Sequence, residues 1–181
     1  MKIVAGEYKA RIIDMPDGIR PTSDKVRGAL FEILKNRIKG ARFLDLYCGS
    51  GAMGIEALSR GAEKAAFIDN NHNCISILKR NLVKLGTPQD LYDIYIKDCM
   101  NGMEVLQRAG CSFDIVFLDP PYYMGLAKNT LIGLSSCDIL TPNALVIAEV
   151  FKKESLAEEL GVFRKIRSCK YGDTLLEFFR K

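Results

Sequence analysis

The sequence predicts an α/β protein: a seven-stranded, mostly parallel sheet covered by helices on both faces, with a C-terminal antiparallel hairpin at one edge. Three observations carry that expectation. From Phe43 onward, short apolar runs alternate five times with helix-period segments, the rhythm of right-handed crossovers in an open sheet. The stretch "DLYCGSGAMG" sets glycines at a strand-to-helix turn. The tail, "VFRKIRSCKYGDTLLEFFRK", breaks the alternation and reads as two β-rich runs around a tight turn at Tyr171, Gly172 and Asp173. With 181 residues, the chain is expected to form one domain: a small hairpin extension over 1–19, a helix over 20–40 and the sheet over 41–181.

In chain order, "KIVAG" and "ARIIDM" suggest the hairpin. In "RPTSDKVRGALFEILKNRI" the residues Val26, Ala29, Leu30, Ile33, Leu34 and Ile38 make an amphipathic stripe, with Thr22 or Ser23 as cap and Asp24 in the first turn. The strands follow as "RFLDLY", "AAFIDN", "DIYIKD", "FDIVFLD" and "ALVIAEVF". Between them lie helical segments in "AMGIEALSRG", "CISILKRNLVKLG", "GMEVLQRAG" and a segment ending "CDIL", and "SLAEELG" is expected to be a last helix.

Composition excludes several classes. No apolar run approaches the ~20 residues that span a bilayer, and the N-terminus lacks a signal-peptide core, so a soluble cytoplasmic protein is expected; the sequence hides the oligomeric state, and a monomer is the working expectation. The six cysteines are scattered with no C-x-x-C pair, as reduced core thiols would be. His72 is the single histidine, which argues against a His-rich metal site and against a hydrolase with a separately placed His base; no metal is expected. Residues 1 to 42 hold ten Lys or Arg against five Asp or Glu, whereas the rest hold sixteen against seventeen. That N-terminal excess is what a polyanion partner selects, and also what an ordinary solvated surface can carry.

Ligands of such sheets bind beyond the carboxyl ends of the strands. Gly49, Gly51 and Gly54 satisfy G-x-G-x-x-G after the first strand, where glycines permit φ > 0 and close backbone approach. Alone, this motif fits dinucleotide enzymes and methyltransferases alike. Asp45, inside the strand, disfavours a pyrophosphate and favours a cationic amino-acid group. Asp69 ends the second strand about 20 residues after the loop, where a carboxylate accepts ribose hydroxyls, and Asp98 ends the third, where it could accept an adenine amino proton. In "LDPPYY", Pro120 and Pro121 stiffen the turn and lack N–H groups, so Asp119 and the Pro120 carbonyl form a rigid pair of acceptors. Such a pair suits an exocyclic amine on a planar ring, with Tyr122 offering a face for stacking.

On these residues the chain resembles a known family. "DLYCGSGAMG" is similar to motif I of class I S-adenosylmethionine-dependent methyltransferases, and "DPPY" to the amino-methyltransferase signature. Together with "RPTSDKVRGALFEIL" and "GEYKARII", they resemble the RsmD family of bacterial 16S rRNA (guanine-N2) methyltransferases over essentially the whole chain. The resemblance implies a Rossmann-like class I fold and a cofactor site of Arg20, Thr22, Asp45, Tyr47, Gly49, Ser50, Gly51, Asp69, Asn70, Asp98 and Cys99. It implies a catalytic loop of Asp119, Pro120, Pro121 and Tyr122, with S-adenosylmethionine as cofactor and 16S rRNA, within an assembling or assembled small subunit, as partner. Lys9, Arg11, Arg20, Lys25 and Arg27 would then grip phosphates. Two positions depart from the family pattern: Ala10 stands where a glycine is common, and Gly28 where Glu is usual. The competing readings are an amino methyltransferase acting on DNA adenine-N6 or on glutamine, for which N-P-P-Y is more usual, a nicotinamide dehydrogenase, and an RNA-binding protein with an inert methyltransferase fold.

Overall fold

The computed structural model describes residues 1–16 and 23–181. Arg20 and Thr22 therefore lie outside the described residues. The described elements are α1 (Asp24–Leu34), β1 (Arg42–Leu46), α2 (Ala52–Ser59), β2 (Lys64–Asp69), α3 (His72–Leu85), β3 (Tyr92–Ile96), α4 (Cys99–Arg108), β4 (Phe113–Leu118), α5 (Leu126–Ser135), β5 (Leu140–Phe151), β6 (Glu159–Leu160), β7 (Phe163–Tyr171) and β8 (Thr174–Arg180). All eight strands form one sheet in the order β3-β2-β1-β4-β5-β8-β7-β6, the first five parallel and the last three antiparallel. This is the Rossmann-like arrangement expected, with the two-residue β6 as an added edge strand.

Each parallel strand is a near-continuous apolar run because both of its faces are covered. One face packs Phe43, Phe67, Ile115, Phe117 and Ile147 under α1, α2 and α3; the other packs Leu44, Leu46, Ile68, Val116 and Leu118 under α4 and α5. The order of connection reverses between β1 and β4, so the crevice at their carboxyl ends is the topological switch point.

Helix α1 begins where its stripe predicts, capped by Ser23, whose Oγ accepts from the Val26 amide at 3.3 Å. Among the described residues the N-terminal hairpin shows one antiparallel bridge, Lys2 with Ile12, flanked by backbone bonds between Ile3 and Arg11 and between Ile13 and Met1. At its turn Ala10 has φ 67°, the left-handed conformation glycine adopts most cheaply, which gives a physical reason for glycine being common there.

One expected helix does not form. In "SLAEELG", Ser155 Oγ donates to Glu177 at 2.7 Å and the Leu156 amide donates to its other oxygen at 2.8 Å. Glu177 is fully buried beside Lys165 Nζ at 2.9 Å. A buried carboxylate requires such partners, and supplying them holds the chain extended rather than helical.

Candidate active site

Five loops, following β1 to β5, converge at one end of the sheet, and they carry most of the carboxylates singled out in the sequence. The β1 and β4 loops are neighbours: Leu46 is in register with Leu118, and the Asp119 amide donates to the Leu46 carbonyl at 3.4 Å. Asp119 is half-buried, Pro120 buried, Pro121 exposed and Tyr122 half-buried.

The three glycines of the first loop have different tasks. Gly49 has φ 53°, and a Cβ there would meet nothing within 4 Å, so this turn forms a cradle open to approach on that side. Gly51 has φ 79°, and an added Cβ would lie 2.3 Å from Leu78. At Gly54 it would lie 2.2 Å from the Phe67 ring, which is why α2 can sit directly on β2. Only the first glycine is open to approach; Gly51 makes room for Leu78 of α3 and Gly54 lets α2 sit on the sheet.

Asp69 accepts from the Gly49 amide at 2.8 Å and from the Asn71 amide at 2.8 Å, which aims it along the rim of that cradle; Asn70 beside it is exposed. Asp98 caps α4, accepting from the Asn101 amide at 3.0 Å, and that bond holds its carboxyl below the usual range. Cys99, next along, is buried, and burial pushes its thiol up to about 12, so it stays protonated. Tyr47 is half-buried at φ 60° and its hydroxyl pairs with Thr130 Oγ1 at 2.7 Å, tying the glycine loop to α5.

Asp45, expected inside the strand near the loop, lies beneath the loop. It is buried, accepts from the Gly54 amide at 2.9 Å, and burial pushes its carboxyl well above the usual range, with Asp119 and Asp69 adding repulsion. It braces the loop from beneath while Asp69 and Asp119 line the crevice. Ser50 is likewise turned inward: its hydroxyl donates to Met15 Sδ at 3.1 Å and its carbonyl accepts from Asn81 at 3.2 Å. Asp69 and Asp119 on one crevice suit a ligand with a cationic end and hydroxyls to donate.

The proposed phosphate grip is corrected in part. Arg27 is only 1% exposed and points inward, its Nε 3.3 Å from Glu56, with further bonds to the Lys2 carbonyl and Met1 Sδ. Glu56, fully buried, also takes the Val4 and Ala5 amides at 2.8 and 3.0 Å and Arg60 at 2.7 Å. Arg27 therefore locks α1, α2 and the N-terminal segment together and cannot reach a phosphate. Arg11 is spent on the last carbonyls of α3, Lys84 and Leu85. Its neighbour Tyr8 donates to Ser59, the last residue of α2, while α2 begins at the glycine loop. Lys9 and Arg11 thus sit a helix length, about 12 Å, away from the crevice end. Lys25 is exposed in the first turn of α1.

Several residues at the crevice were missed in the sequence. Phe151, the carboxyl tip of β5, lies 5.8 Å from the Tyr122 ring and 5.3 Å from the Tyr123 ring. Glu154 accepts from the Tyr123 amide at 2.8 Å. The rule that ligands sit beyond strand ends pointed to Phe151; nothing local pointed to Glu154.

Residues 1–180 match the family described as conserved hypothetical protein 95. A ribosomal RNA small subunit methyltransferase D from Haemophilus influenzae is 34% identical over 158 residues, 86% of this chain and 81% of the relative. Its namesake from Escherichia coli is 36% identical over 153 residues, 82% of this chain and 74% of the relative. The solved Escherichia coli protein yhhF superposes with a TM-score of 0.88 at 30% identity, covering 100% of this chain and 97% of that one.

Proposed function

Because the chain belongs to the RsmD family of methyltransferases, we propose that it transfers the methyl group of S-adenosylmethionine to the N2 amine of a guanine in 16S rRNA of the small ribosomal subunit. The observation that carries this reading is the adjacency of two loops: the rigid acceptors of Asp119 and Pro120 leave β4 beside the glycine cradle that leaves β1.

S-adenosylmethionine supplies a methyl group on a sulfonium sulfur, which leaves with the C–S electron pair remaining on sulfur. The residues present suit it. Asp69 would take the ribose hydroxyls, Gly49 would let the backbone approach, and Asp98 would meet the adenine edge. The carboxylates of the crevice would favour the cationic end.

The guanine must be unpaired or turned out of its stack to enter. Its two N2 protons would be held by the Asp119 carboxylate and the Pro120 carbonyl, which withdraws the nitrogen lone pair from the ring and aims it at the methyl carbon. As the C–N bond forms, one proton leaves the nitrogen through Asp119. Tyr122 would support the face of the base.

Asp119→Ala tests this. Methyl transfer to small subunits from cells lacking the gene should fall by at least about 100-fold, while S-adenosylmethionine binding by calorimetry stays within about threefold. A variant that methylates at the parent's rate would remove Asp119 from the chemistry.

A further inference from the structure

Tyr123 is 68% exposed, and Met124 next to it 63%. Tyr123 also has φ 64°, a left-handed conformation that a bulky side chain adopts only under constraint. The constraint is visible: Glu154 accepts from its amide at 2.8 Å, and its ring leans on Phe151. The segment bearing Glu154 is in turn anchored by the bonds of Ser155 and Leu156 to buried Glu177. A strained backbone held in place so that an aromatic ring faces water is the reverse of what packing alone selects.

The second observation is the angle between rings. Tyr123 stands at 89° to Tyr122, centroids 6.4 Å apart. Two bases lying flat on these rings are themselves nearly perpendicular, so a strand occupying both must break its stack between them. The surrounding charge suits such a strand. Lys128 lines a small cavity of about 60 Å³ with Pro121, Tyr122 and Glu154. Lys153, adjacent to Glu154, is exposed like Lys128, and neither is in an ion pair among the described residues, whereas Lys152 is paired with Asp173 at 2.7 Å.

We propose that Tyr123 is the stacking platform for the nucleotide next to the target base in single-stranded RNA, with Lys128 and Lys153 on its phosphates. The inference rests on the rRNA reading above. It makes the right angle of the two tyrosines the device that keeps the target base unstacked from its neighbour, and it reads RNA shape rather than base identity, since every base has a face to stack.

The test uses small ribosomal subunits from cells lacking the gene, labelled S-adenosylmethionine, and two variants. Tyr123→Phe keeps the ring and should leave KM for subunits within about twofold. Tyr123→Gly removes it and should raise KM roughly tenfold, the lower part of the 5- to 150-fold range that stacking implies, with kcat changed by less than about threefold. The melting temperature of Tyr123→Gly should stay within about 4 °C of the parent's, because relief of the backbone strain offsets the lost ring contacts and the added freedom of the unfolded chain. An unchanged KM would overturn the inference, as would a fall in kcat alone or a KM rise accompanied by a larger fall in melting temperature, which would assign the ring to packing. If the parent enzyme methylates no such subunits, the rRNA reading itself fails, a result distinct from any of these.

Discussion

Arg27 shows how one residue changes meaning when its surroundings are known. In the sequence it is one of ten positive charges near the N-terminus; in the fold it is a buried partner of Glu56, a residue 29 positions away. Removing Arg27 leaves Glu56 with Arg60 and two backbone amides but takes away one charged, buried hydrogen bond, a loss of about 1.5–3 kcal/mol. Arg27→Ala should therefore lower the free energy of unfolding by about that amount in urea denaturation, with unchanged affinity for RNA in the fraction that stays folded. A loss of RNA affinity without loss of stability would restore the phosphate role. A local signal for burial existed: Arg27, Leu30, Phe31 and Leu34 share one helix face by their spacing of three, four and seven, and all four are buried. Nothing local marked Glu56 as the partner, because an ion pair between two helices is decided by how they pack.

Elements were more legible than their ends. The start of α1, the glycine turn before α2 and the apolar runs of β1 to β5 lie where hydrophobic period and turn chemistry place them, since both depend on neighbours a few residues apart, whereas α1 stops at Leu34, one turn short of Ile38 in the expected stripe. The segment after β5 was not legible: helix-favouring residues are overridden by Glu177, more than twenty residues downstream. Gly28 offers a test at this scale. It lies inside α1, and a Cβ there would meet only Val4, at an ordinary 3.8 Å. Gly28→Ala should thus stabilise the protein by roughly 0.5–1 kcal/mol, raising the thermal midpoint by about 1–4 °C. A lower midpoint would mean that the helix tolerates no side chain at this point.

For the whole molecule, the distribution of charge matters more than its total of +4. Among the described residues, Arg27 is a buried lock, Arg11 caps α3 and Lys9 lies away from the crevice, while Lys128 and Lys153 border it. Each phosphate contact adds about 0.7 to the slope of log K against log salt for single strands. Lys153→Ser should reduce that slope by about this amount for small-subunit RNA, and Lys9→Ser should leave it unchanged. Equal slopes for both would place the RNA elsewhere. The alternating pattern, the glycine spacing and the D-P-P-Y loop were settled by sequence alone, because periodicity and backbone stiffness are properties of adjacent residues. Which charges are buried, which tyrosine faces water and which loops meet were settled only by tertiary packing, because burial and ion pairing join residues the chain keeps far apart.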